Sequence, residues 1–141
     1  MKGIERIEWT EEYESGNAAI DVQHKYLFSI INQLSYAIEA GCDKKAIGQT
    51  IEQIEHYTKW HFCREEECMA ATNGLCPVGE KTNKEQHAKL LEAIPALKKE
   101  FTDSDEPNIV ALKLYRTLIM WVANHIKKTD IPCLTAKSSK E

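Results

Sequence analysis

Four stretches of this chain repeat residues in an alternating step of four and three, and that pattern leaves few folds open. In the first, Ile20, His24, Leu27, Ile31, Leu34 and Ile38 follow steps of 4, 3, 4, 3 and 4. The second carries Ile47, Ile51, Ile54, Thr58, His61, Glu65 and Cys68, and the third carries Asn83, His87, Leu90, Ile94, Leu97 and Phe101. The fourth carries Ala111, Leu114, Leu118, Trp121 and His125. Such a step lays one stripe along a helix, whereas a strand needs alternation of every second residue, which none of the four shows. Four striped helices with short connections predict an all-α fold, an up-down-up-down antiparallel four-helix bundle. An N-terminal arm with Trp9 and Tyr13 precedes it, and the bundle is expected over about 18–131 of a single domain covering 1–141.

The glycines and prolines are expected between the helical segments. Gly41 follows the first, and Asn73-Gly74-Leu75-Cys76-Pro77-Val78-Gly79 reads as the clearest loop. Asp103-Ser104-Asp105-Glu106-Pro107 separates the third from the fourth, and Pro132 follows the last. Asp43 is suited to cap the second helix, Thr82 with Glu85 reads as a capping box for the third, and Pro107 suits the first turn of the fourth.

Composition narrows the class. With 141 residues, 43% of them hydrophobic and 28% charged, the chain can bury a core and does not read as disordered. A net charge of −4 supplies no positive field for nucleic acid. The longest apolar run, Leu118 to Ala123, falls far short of the roughly 18 to 20 residues of a membrane span. No apolar stretch follows the charged N-terminus, so no signal peptide is expected and the cytoplasm is the expected location. Cys42, Cys63, Cys68, Cys76 and Cys133 are odd in number and form no CxxC pair, which predicts free thiols rather than disulfides or a thiolate zinc site. A redox-sensing role for one of them is the alternative.

The stripes are interrupted by polar groups, and chain direction decides where these meet. His24 lies near the start of the first helix, His61 and Glu65 near the end of the second, His87 near the start of the third and His125 near the end of the fourth. In an antiparallel bundle all of these lie at one end. His61 and Glu65, four apart, share a helical face. Asp130 is five residues after His125, off a straight helical face, so it must reach in from an ending last turn. Burying these groups without partners would cost about 1 to 3 kcal/mol each, and more for an ionised Glu. Two readings satisfy them: separate hydrogen-bonded core histidines, or one shared metal site. Imidazole and carboxylate donors without thiolate suit iron, manganese or zinc.

At these residues the chain resembles the hemerythrin family, in particular the single-domain bacterial hemerythrins. The matching pieces are Asp21-Val22-Gln23-His24-Lys25, His61-Phe62-Cys63-Arg64-Glu65-Glu66, His87, Trp121-Val122-Ala123-Asn124-His125 and Asp130, with Trp9 ahead of them. The resemblance runs over about residues 5–131. Myohemerythrin is itself an example of the up-down-up-down bundle. The resemblance implies two iron ions in an oxo- or hydroxo-bridged di-iron centre. Glu65 and Asp130 would bridge, His24 and His61 would bind one iron, and His87 and His125 the other. It implies reversible O2 binding for carriage, storage or sensing, with peroxide or nitric oxide as other small ligands, and no nucleic-acid or membrane partner. Trp9, Phe62, Trp121, Val122 and Ile126 would wall the pocket.

One departure stands out. The family usually carries HxxxH on the third helix, and here Asn83 takes the place of the first histidine. The loop before it looks longer than usual, with Cys76-Pro77-Val78 as the insertion. Asn83 or a water could fill the ligand position, a nearby group such as Glu80 could swing in, or both irons could keep two histidines and open positions. The last case raises an alternative function, a di-iron oxidase or an enzyme handling peroxide or nitric oxide. A structural site holding zinc or a single iron is a third reading. A ferritin-like centre is disfavoured, because it calls for paired ExxH motifs and no histidine has Glu three positions before it. Asp21 is expected either to orient His24 or simply to favour the first turn of its helix. Cys63 is expected to face away from His61, and Cys68 to pack on the stripe.

Overall fold

An asparagine starts the first helix. Asn17 accepts a hydrogen bond from the Ile20 N–H at 3.1 Å, the contact a short polar side chain makes at a helix N-terminus. The computed structural model describes residues 4–71 and 77–131, and among them the chain forms four long helices and no strand. We label these α1 (Ala18–Glu39), α2 (Lys44–Ala70), α3 (Pro77–Asp103) and α4 (Pro107–His125). Each packs against its neighbours in sequence, and α1 closes the ring against α4, which is the expected all-α bundle.

Most of the boundaries follow the local chemistry read from the sequence. α1 runs out at Ala40, and Gly41 takes a φ of +71°, a left-handed turn that other residues adopt at a penalty. Asp43 caps α2 through the Ala46 N–H at 2.9 Å, and Pro107 sits in the first turn of α4. The start of α3 is a correction. Pro77 to Gly79 are helical rather than loop, so Thr82 lies inside α3 and caps nothing. A proline at the first helical position has its φ preset and no N–H to satisfy, which makes Pro77 the better start. Residues 72–76, with Cys76 of the expected insertion, and 132–141, with Pro132 and Cys133, lie outside the described residues.

Besides Gly79, two breakers sit deep inside helices, against the expectation that all fall between them. Pro95 lies within α3 on an exposed face, where water can serve the carbonyl that its ring leaves without an N–H. Gly48 lies within α2 opposite Phe101 of α3.

The stripes become the core. Leu27, Ile31, Leu34, Ile47, Ile51, Ile54, Leu90, Ile94, Leu114 and Leu118 are buried, each contributing on the order of 1.5–3 kcal/mol. Ile38, Leu97, Cys68 and Trp121 are only half-buried. The N-terminal arm is held across α1 and α4. Asn32 pairs with both backbone groups of Ile7, donating at 2.7 Å and accepting at 3.2 Å. The Tyr115 hydroxyl donates to the Glu5 carbonyl at 2.7 Å. Beyond α4 the chain widens into a five-residue π turn, Ile126–Asp130. No helix among the described residues is long and apolar enough to cross a membrane.

Gly48 supplies a test of the packing. A Cβ added there would lie 3.6 Å from the Phe101 ring, an ordinary contact. Gly48→Ala should therefore gain the helix propensity of alanine, about 1 kcal/mol, read as a higher urea midpoint. A loss of stability would mean that α2 and α3 pack more tightly here than described.

Candidate metal centre

The structure brings the six residues singled out from the sequence into one buried cluster: His24 from α1, His61 and Glu65 from α2, His87 from α3, His125 from α4 and Asp130 from the π turn. Glu65 lies at its middle and is fully buried. Its Oε2 lies 2.8 Å from His24 Nε2 and 3.1 Å from His61 Nε2. Its Oε1 lies 3.0 Å from His87 Nε2 and 3.8 Å from His125 Nε2. Asp130 spans the same divide, with Oδ1 2.9 Å from His125 Nε2 and Oδ2 3.3 Å from His24 Nε2. Each carboxylate thus offers one oxygen to each side.

The π turn explains Asp130. A π-helix bonds residues five apart and takes more residues per turn than an α-helix, so positions five apart lie closer to one face than they do in an α-helix. The wider turn brings Asp130 under His125, where a straight α-helix would have rotated it away.

The outer ring nitrogens are held by side chains that the sequence reading gave no role. His61 Nδ1 meets Gln23 Oε1 at 2.7 Å, and His125 Nδ1 meets Gln86 Oε1. His87 Nδ1 lies 2.8 Å from Glu66 Oε2. A carboxylate only accepts, so His87 donates to Glu66 from Nδ1, and Nε2 is the ring atom that faces the cluster. A rule of position connects them: Gln23 and Gln86 each directly precede one clustered histidine and bind the histidine of a neighbouring helix. Glu66 likewise follows Glu65 and serves His87. A polar residue directly beside His24, Glu65 and His87 was the available signal.

Among the single-residue expectations, those for Asp21 and Trp9 come out differently, while Cys63, Phe62 and Trp121 lie as expected. Asp21 does not orient His24; its carboxylate accepts from the Ser15 backbone N–H at 3.0 Å and hydroxyl at 2.7 Å. Its oxygens are taken by the arm, leaving the first-turn reading. His24 Nδ1 is buried without a hydrogen-bond partner among the described residues. Trp9 stands back, packing on Phe28 at 5.4 Å. Phe62 stacks on His87 at 3.7 Å and Trp121 on His125 at 4.3 Å, while Val122 and Ile126 are buried. Cys63 is exposed, and Cys68 accepts from the Asn17 amide at 3.3 Å. Glu80 belongs to neither potential metal-binding group. A groove of about 530 Å³ lined by Gln86, Trp121, Asn124, His125 and Thr129 reaches the cluster at the His125 ring.

The donor set fits cations. Inward lone pairs oppose one another, with His87 Nε2 and His125 Nε2 only 3.0 Å apart. Without a metal, protons must occupy these contacts. Asn83 Oδ1 and Asp130 Oδ2 are also buried with no hydrogen-bond partner among the described residues. Two overlapping groups, Glu65 with His87, His125 and Asp130, and Glu65 with His24 and His61, each bring their ligand atoms within 4.8 Å of one another.

Electrostatics show what the metal-free cluster must do. Burial would raise the Glu65 carboxyl, but hydrogen bonds from His125, His24, His61 and His87 outweigh it and hold the group well below the usual carboxylate range. Burial disfavours the charged forms of His24 and His125, yet Asp130 and Glu65 beside them lift both to about 9.

An antiparallel helical bundle with a buried histidine and carboxylate cluster at one end is the architecture of a non-haem metal-binding protein. The comparisons name the family. The family model described as "Hemerythrin HHE cation binding domain" matches residues 15–131, so the chain belongs to the hemerythrin family. It is similar to a bacteriohemerythrin of Stenotrophomonas maltophilia, 26% identical over 123 residues, covering 86% of this chain and 75% of that protein. A bacteriohemerythrin of Clostridium acetobutylicum is 26% identical over 129 residues, covering 86% of this chain and 94% of the relative. The myohemerythrin of Theromyzon tessulatum is 29% identical over 126 residues, with 89% of each chain covered. Members of this family bind a di-iron centre, and the buried cluster here is able to hold metal.

The raised histidines give a pH prediction for the metal-free protein. A group whose folded pKa exceeds its unfolded value stabilises the fold fully below the unfolded value, here about 6.5, and loses that contribution as pH rises through the folded one. The urea midpoint of the stripped protein should therefore fall between pH 6.5 and pH 9 or above, as His24 and His125 deprotonate. A flat or rising midpoint over that range would contradict the charged cluster.

Proposed function

We propose that this chain holds two iron ions and binds O2 reversibly, for carriage, storage or sensing. The observation that carries this reading is the pair of carboxylates, Glu65 and Asp130, each presenting one oxygen to each side of the cluster. In this reading both bridge, His24 and His61 bind one iron, and His87 and His125 bind the other. The di-iron pair supplies the two electrons that reversible O2 binding calls for.

The rest of the work falls to the protein. Gln23, Gln86 and Glu66 hold three imidazoles by their outer nitrogens and aim Nε2 inward, as second hydrogen bonds to metal-binding histidines commonly do. Phe62 and Trp121 lie flat on His87 and His125 and cover one face of each ring. The groove over His125 gives a small molecule an approach to the cluster, because His125 itself lines it. Names of the relatives, bacteriohemerythrin and myohemerythrin, support the same reading. The oxidase or peroxide-handling alternative draws no support from them. We place the activity in the cytoplasm, where Cys42, Cys63 and Cys68 would remain the free thiols they are here.

Loading stripped protein anaerobically with ferrous iron should give about two iron ions per chain. A charge-transfer band should appear on admitting O2 and vanish on removing it. A ferric spectrum that never returns to the starting state would overturn reversible binding. Glu65→Ala should drop the iron content to one per chain or fewer, because neither side keeps its shared oxygen.

A further inference from the structure

Asn83 occupies the position four residues before His87, on the same face of α3. It is fully buried at the centre's edge. Its Nδ2 donates to Asp130 Oδ1 at 2.7 Å. That contact fixes the orientation of the amide, because a carboxylate offers nothing to a carbonyl oxygen. The amide oxygen must therefore face the other way, and there it meets no donor: Oδ1 is buried with no hydrogen-bond partner among the described residues. A buried carbonyl oxygen left unpaired is unfavourable, and the same side chain could satisfy it only with a donor or a cation. His87 and His125, on the Asp130 Oδ1 side of the cluster, turn lone pairs rather than protons inward once metal replaces the protons between them.

We propose that Asn83 is a metal ligand of the His87 and His125 side, binding a divalent transition metal through Oδ1 while its amide N–H holds the bridging Asp130. The inference rests on the two-iron reading above and assigns the residue that completes it. One side chain does two jobs: it donates an oxygen to the metal and fixes the carboxylate that the two metals share. The consequence lies in donor chemistry. A neutral carbonyl oxygen is a harder and weaker donor than imidazole, so this metal is held less tightly than three imidazoles would hold it. With Asn83 in this role each metal has two histidines, and the two sides differ in oxygen donors instead of nitrogen count. Glu80 and a loop group are not needed to fill the position.

The test uses stripped full-length protein and zinc, a diamagnetic probe. With carbon-13 in the asparagine side chains, loading zinc should move the Cγ resonance of Asn83 downfield and leave that of exposed Asn124 in place. Chelator competition should release one zinc faster than the other. Asn83→His should slow that faster release about tenfold or more, and Asn83→Leu should lose that metal while retaining the one at His24 and His61. An unmoved Asn83 resonance in protein carrying two zinc ions would overturn the assignment and leave the two-metal reading standing. Failure of the unsubstituted chain to bind a second metal would overturn both. The resonance shift is read on the unsubstituted protein, so it decides the question even where Asn83→Leu does not fold.

Discussion

A single buried carboxylate organises this molecule. Glu65 is fully enclosed, and its two oxygens are approached by imidazoles from all four helices. An ionised carboxylate in such a place is tolerable only with positive charge around it, either protons on the histidines or metal ions in their place. The four helices are thereby committed to one mutual arrangement at this end of the bundle. At the other end the constraint is ordinary apolar packing around Ile30, Ile31, Leu34, Ile47, Ile51 and Leu114. The apolar half holds the polar half in register, since hydrogen-bonded ion clusters add specificity of arrangement more readily than net stability.

The supporting contacts extend that logic outward. Gln23, Gln86 and Glu66 link His61, His125 and His87 each to a helix other than its own, so these three rings are positioned by the helix interfaces. The π turn after α4 lets Asp130 return under His125. The arm fastens to α1 and α4 through Ile7, Asn32, Glu5 and Tyr115. Each of these features serves the positioning of nitrogen and oxygen donors around Glu65.

Much of this was legible in the sequence. The alternating step placed His24, His61, Glu65, His87 and His125 on inward faces, and antiparallel chain direction alone brought them to one end. Asp130 was legible as a residue that had to reach in, though not as part of a π turn, because nothing in Ile126-Lys127-Lys128-Thr129-Asp130 signals the extra residue per turn. The start of α3 was misread because Thr82 and Glu85 imitate a cap, while Pro77 has the stronger backbone preference. Asp21 was placed beside His24 by proximity along the helix, but its partner, Ser15, comes from the arm, whose path periodicity does not report. Gln23, Gln86 and Glu66 escaped notice for a related reason: each acts across a helix interface, and spacing along one helix carries no information about the neighbour's register. Asn83 was visible as a departure from the resemblance; the direction of its amide was not, since that depends on the contact with Asp130.

The central claim is that Glu65 sits between two metal ions. Crystals of iron-loaded protein, with diffraction recorded at the iron absorption edge, test it most directly. The account predicts two anomalous peaks per chain, one beside Oε1 of Glu65 toward His87 and His125, the other beside Oε2 toward His24 and His61. A single peak, or two peaks that do not share Glu65, would contradict it.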